Sequence, residues 1–143
     1  MTARTNVYSA DAWSFNFAGL QIETGKGPDE FLKITADEDD VTITVGLDGE
    51  SVFNVIPGRP CTISLTLLQT SKGNGVLSAY HIASMAAGGL PAPVGVEDRN
   101  GTSKTVSPSA MIKKIPEETA GKEAGAVVWE FLVATPTRFL GNH

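Results

Sequence analysis

Four acidic side chains stand in an unbroken row at Asp37, Glu38, Asp39 and Asp40, the densest set of metal-binding oxygens in the chain. A calcium loop needs oxygen ligands spaced around a bend, usually with a glycine and a distal glutamate. That spacing is absent, and the run reads as a solvated turn. Asp29, Glu30 and Asp37 show no spacing that sets two carboxylates to share acid and base work. Neither His81 nor His143 has a cysteine or a second histidine at zinc-site spacing. Cys61 is the one cysteine, so it cannot close an internal disulfide, and synthesis in a reducing cytoplasm is expected. Its simplest reading is a small buried side chain at the start of a strand. Lys26 between Gly25 and Gly27 lacks the glycine spacing and the following helix of a phosphate-binding loop. No nucleophile elbow, dinucleotide fingerprint or kinase signature is present. The expectation is a protein with no catalytic residues, no metal and no cofactor.

The elements around these residues are mostly strands. Trp13, Phe15 and Phe17 alternate with Ser14, Asn16 and Ala18, which is the period of a half-buried strand. Leu32 and Ile34 alternate with Lys33 and Thr35, and after the acidic run Val41, Ile43 and Val45 alternate with Thr42 and Thr44. These two runs are expected to form a hairpin over residues 32–47, turning at the acidic row, with one apolar and one hydroxyl-bearing face. Asp48-Gly49 predicts a tight turn into a strand over 51–56. A strand over 61–68 sets Ile63, Leu65 and Leu67 against Thr62, Ser64 and Thr66. Residues 74–87 break the period: Val76, Leu77, Tyr80 and Ala83 recur at helical spacing. Ser71 or Asn74 is placed to cap this helix, and Gly88-Gly89 to stop it. Later, Asn100-Gly101 predicts a hairpin between strands at 94–99 and 102–106. Pro108 marks an edge or a bulge in a strand over 107–115. Val127, Trp129, Phe131 and Val133 give the last strand, ended by Pro136. About eight strands and one helix imply a mainly β sandwich or small barrel with the helix on one flank.

The length of 143 residues fits one domain. Sixteen acids against eleven bases leave a net charge of −5, which disfavours tracking of a phosphate backbone. No apolar run reaches the roughly 18–20 residues of a membrane span, and residues 1–6 show no apolar stretch typical of a secretory signal. No membrane partner is expected.

The order of segments from residue 31 to 80 resembles that of the small tail tube proteins of contractile-tailed phages. The matching pieces are the acidic turn and Thr-Ile/Val strand at 37–45, the G-x-D-G turn at 46–49, Pro57-Gly58, the L-L-x-T-S strand end at 67–71 and the N-x-x-L-S-A helix start at 74–79. Met111-Ile112-Lys113-Lys114-Ile115-Pro116 and Val128-Trp129-Glu130-Phe131 resemble the later strand ends of that family. The likeness covers residues 8–140 and implies the tail-tube fold shared with type VI secretion tube proteins, as one domain with an N-terminal arm at 1–12 and a short tail at 137–143. It implies a structural virion protein of the tail, made in the host cytoplasm. Such a subunit forms hexameric rings that stack into the inner tube, through which DNA is ejected. The implied partners are further copies of the chain, the surrounding sheath protein, and baseplate and tail-terminator proteins at the ends. The tape-measure protein and DNA occupy the lumen without specific binding.

On that implication, Lys33, Thr35, Thr42, Thr44, Thr62, Ser64 and Thr66 are candidates to line a water-filled lumen. Asp37, Glu38, Asp39 and Asp40 are candidates for its acidic rim or for a contact between rings. The loop Thr24, Gly25, Lys26, Gly27, Pro28 and Asp29 is a candidate for ring stacking. Two alternatives stand beside this reading: the tube of a phage-derived bacteriocin or contractile injection system, and a monomeric β-barrel that binds a small ligand. A small hydrolase is disfavoured by the missing catalytic set.

Overall fold

The computed structural model of the chain describes residues 13–22, 31–98, 101–117, 120–121 and 125–141. Ten strands and one helix are present among them: β1 (Trp13–Phe17), β2 (Leu20–Gln21), β3 (Leu32–Ala36), β4 (Val41–Val45), β5 (Ser51–Val55), β6 (Cys61–Leu68), α1 (Lys72–Ala86), β7 (Ala92–Asp98), β8 (Lys104–Ile112), β9 (Ala126–Ala134) and β10 (Thr137–Phe139). Eight strands make one sheet in the order β2-β1-β7-β8-β9-β6-β3, with β10 also paired to β8. All of its described pairings are antiparallel. β4 and β5 make a separate two-stranded sheet.

The core follows from period-two patterning. β6 and β9 pair from Cys61↔Val133 to Leu68↔Ala126. Cys61, Ile63, Leu65 and Leu67 are buried from one strand, and Val127, Trp129, Phe131 and Val133 from the other. The sheet folds over this face as a β-sandwich does, so β1 lies across from β9. The Phe15 and Phe17 rings each come within 5.0 Å of the Phe131 ring. Aromatic pairs of this kind are worth about 0.5–1.5 kcal/mol beyond the area they bury. Ala18 and Gly19, at φ 55° and 81°, close the β1–β2 turn; two successive positive φ values give a twist that suits two-residue hairpins.

Strand β8 changes partner along one edge. Residues 104–106 pair with β10, and residues 109–112 pair with β9. Pro108 sits at the changeover, where the β7 register also shifts between Ala92 and Val94. Proline has no N–H to give a ladder, so a bulge tolerates it. The Ser107 hydroxyl donates to the carbonyl of Ala134 and accepts from the Ser109 N–H. Past it, Thr135 at φ 45° and Pro136 turn the chain from β9 into β10.

Helix α1 is capped by the Ser71 hydroxyl, which accepts from the Gly73 N–H at 3.2 Å. It buries only Gly73, Leu77 and Ser84. A Cβ on Gly73 would lie 3.0 Å from Ile22 and 3.2 Å from Leu67, so glycine lets this end of the helix approach the sheet. The Tyr80 ring packs edge-on to Phe17 at 4.9 Å. Ser84 exchanges hydrogen bonds with the backbone of Leu90, 2.8 Å from its N–H, and holds the chain after the Gly88-Gly89 stop.

Several expectations are corrected. Residues 32–47 are not a hairpin: β3 pairs with β6, while β4 pairs with β5 in the other sheet. The acidic row is a crossover between sheets. Alternation gives each strand's faces but carries no partner, and the ties of Asp37 to Pro60 and Thr62 and of Glu38 to Arg59 hold the acidic row against the start of β6, so it does not turn back along β3. The apolar faces of β3, β4 and β6 are expected to pack on the helix and the opposite sheet, but on β4 Val41, Ile43 and Val45 are exposed. The helix begins at Lys72 rather than 74 because Ser71 supplies the cap. The strand through Pro108 runs from Lys104 to Ile112. Part of the tail is ordered within the subunit as β10.

Leu77 is the helix's one large, fully buried side chain, and Ile82 on the same helix is exposed. Leu77→Ala is expected to lower the unfolding free energy by about 2–5 kcal/mol, and Ile82→Ala to change it by no more than about 0.5 kcal/mol. Urea unfolding of the two variants checks both.

Candidate assembly site: a projecting hairpin and the groove at its root

The β4–β5 hairpin pairs from Val41↔Val55 to Val45↔Ser51. Its turn is closed by the Gly46 N–H on the Glu50 carbonyl at 2.7 Å and by the Glu50 N–H on the Asp48 carboxylate at 3.1 Å. Gly49 takes the positive φ of 88°. One face carries Thr42, Thr44, Val52 and Asn54, with the Asn54 amide donating to the Thr44 hydroxyl at 2.9 Å. The other face carries Val41, Ile43, Val45, Phe53 and Val55. Every residue of both strands is exposed: Ile43 by 56%, Phe53 by 69% and Val55 by 72%. An isolated two-stranded hairpin is marginal in water, and a contiguous apolar surface of this kind marks a site of association.

The root of the hairpin is tied down. The Ile56 N–H donates to the Asp40 carbonyl, and the Asp37 N–H to the Pro60 carbonyl. The Thr62 hydroxyl donates to the Asp37 carboxylate at 2.8 Å, and Arg59 pairs with Glu38. The predicted acidic rim thus spends two of its four side chains on its own subunit. Among the described residues no group of three or more His, Cys, Asp or Glu is clustered to hold a metal.

A groove of about 580 Å³ opens at this root, lined by Asp40, Val55, Pro57, Arg59, Arg138 and Leu140 among others. The Arg59 side chain is 10% exposed, and its Nε is buried without a hydrogen-bond partner. Cys61 lies on the floor of the groove, 1% exposed. Burial pushes its thiol above the ordinary 9.0, Arg138 pulls it down, and Asp37 pushes it up again.

Of the seven candidate lumen residues, the register brings five together. Lys33 and Thr35 stand opposite Ser64 and Thr62, and Thr66 follows on the same face of β6. Glu130, Val128 and Leu132 of β9 continue that face. Thr42 and Thr44 are on the separate sheet. Residues 24–29 and 1–12 lie outside the described residues. The groove with Arg59 and Arg138 was not visible in the sequence; those two residues are 79 positions apart in numbering, and the tail is held beside β8 by the β8–β10 pairing and by the Ser103–Gly141 hydrogen bonds.

The fold has a counterpart among solved structures. The anti-feeding prophage cap, a tube-terminating cap, superposes with a TM-score of 0.61 at 8% identity, covering 97% of this chain and 95% of that one. At that identity the likeness is one of fold. No curated protein matches the chain in sequence. Residues 11–141 match the family of the bacteriophage PhiTE tail tube protein, and the chain belongs to that family. It is a structural protein of the phage tail.

A raised thiol holds its proton further into alkaline solution, and the thiolate is the reactive form. Native Cys61 is expected to resist alkylation at pH 8 while the urea-unfolded chain reacts. Its contribution to stability is complete below the ordinary value of 9.0 and is lost as the pH climbs from there through the folded value. Mass spectrometry after timed alkylation checks the first expectation, and urea unfolding between pH 7 and pH 10 checks the second.

Proposed function

We propose that the chain polymerises as hexameric rings stacked into the inner tail tube, through which DNA passes into the host. The observation that carries this reading is the β4–β5 hairpin, whose apolar face stays exposed among the described residues. A surface that meets a different surface on the next copy makes a heterologous contact, and repetition of that contact yields rings and tubes. Strand β3 supports the same reading, because among the described residues it ends the large sheet and has an edge that a neighbour could extend.

In this assembly the hydroxyl face of Lys33, Thr35, Thr62, Ser64 and Thr66 lines the lumen, where a weakly charged wet surface lets DNA slide without phosphate contacts. Asp39 and Asp40 stand near the rim. Thr42 and Thr44, on the polar face of the hairpin, belong to the contact between copies, and residues 24–29 take part in stacking. The sheath surrounds the tube, baseplate and terminator proteins close its ends, and the tape-measure protein fills it before ejection. A second reading, a genome-free tube of a phage-derived injection device, is favoured by the fold of the anti-feeding prophage cap; particles that contain no packaged DNA would select it.

The test is electron microscopy of the purified chain beside an Ile43→Asp, Phe53→Asp variant. The wild type is expected to form rings or tubes, and the variant to remain a free subunit. Because both residues are exposed, the variant's melting temperature should stay within about 2–4 °C of the wild-type subunit's. Tubes of normal form from the variant contradict the role given to the hairpin.

A further inference from the structure

The groove at the hairpin root and the tip of the same hairpin are matched in chemistry but cannot meet within one subunit. The groove holds two guanidinium groups. Arg59 is engaged by Glu38, but its Nε is an orphaned donor, and a buried donor left unpaired is unfavourable. Arg138 has no ion-pair partner among the described residues. Asp40, on the groove wall, lies outside ion-pair distance of it. Around these charges the lining is apolar, from Val55, Pro57, Pro136 and Leu140.

The tip presents the complement. Leu47 is fully exposed, at 112%, and is followed by Asp48 and Glu50 with no basic residue between them. One oxygen of Asp48 accepts the Glu50 N–H; among the described residues neither the Asp48 nor the Glu50 carboxylate has an ion-pair partner. From the root at Asp40 the extended chain of β4 runs over Val41–Val45 before the turn, on the order of 17 Å at the rise of a strand. A subunit therefore cannot place its own tip in its own root groove, whereas another copy displaced along the hairpin direction can.

We infer that the root groove is the receptor for the hairpin tip of a second copy of this chain, with Arg138 receiving the carboxylates of Asp48 and Glu50 and the apolar lining receiving Leu47. The inference rests on the tube reading above and names the surface on which the hairpin lands. Arginine suits the task, since its planar fork takes carboxylate oxygens in pairs. Each subunit carries one tip and one groove, so the contact joins two different surfaces and can repeat from copy to copy. The contact is electrostatic at its centre, and screening by salt weakens it to the extent that solvent reaches it.

The experiment is a charge exchange read by the critical concentration for assembly, measured by light scattering at low and high salt. Arg138→Glu and Glu50→Arg are each expected to raise it by roughly tenfold or more, the equivalent of about 1.4 kcal/mol per contact. The double variant, carrying both changes, should recover most of the loss. Arg138→Gln should fall between wild type and Arg138→Glu, which keeps the test open if the reversed charge disturbs β10. Assembly of Arg138→Glu at the wild-type concentration overturns the inference, as does a double variant no better than its parents. Failure of the wild type to assemble would instead overturn the tube reading, so the two failures are distinct.

Discussion

The Phe131 ring, in contact with Phe15 and Phe17 at 5.0 Å, is where β1, near one end of the large sheet, folds over against β9 in its interior. Everything else in the subunit depends on that closure. With Trp129 and the apolar sides of β6 and β7 it completes a buried core. The core asks nothing of residues 41–55, and so the β4–β5 hairpin is free to project and to carry apolar side chains that no fold of a single chain would leave in water without a use. Stability and assembly are thereby placed on different segments. The sheet folds the subunit, and the hairpin is available to a neighbour.

The same separation explains which features were legible in the sequence. The faces of β1, β6 and β9 were readable because alternating apolar and polar residues point to opposite sides of a strand, and all three strands are buried on the side their pattern marks. The Asp48-Gly49 turn was readable because it is local. The partner of β3 was not. Leu32–Ala36 and Val41–Val45 have the same alternation, and nothing in either run says that one joins the core and the other leaves it. Strand β10 was missed for a related reason: three residues after Pro136 carry too little pattern to mark a strand, and β8 supplies the order.

The candidate site divides along the same line. The hydroxyl face of β3 and β6 follows from alternation and holds in the structure. The root groove does not, because Arg59 and Arg138 are far apart in the sequence. The acidic row lost half its apparent freedom once Thr62 and Arg59 were in place beside it. A charge run in sequence counts charges but not partners, so its role is set by what packs against it.

Hydrogen exchange on the free subunit and on the assembled tube tests the central claim most directly. Exchange protection reports local opening. The amides of β6 and β9 should be protected in both states, while those of β4 and β5 exchange quickly in the free subunit and become protected on assembly. Hairpin amides that exchange equally fast in the tube would contradict the account, because the hairpin would then be a surface feature and not the contact through which subunits join.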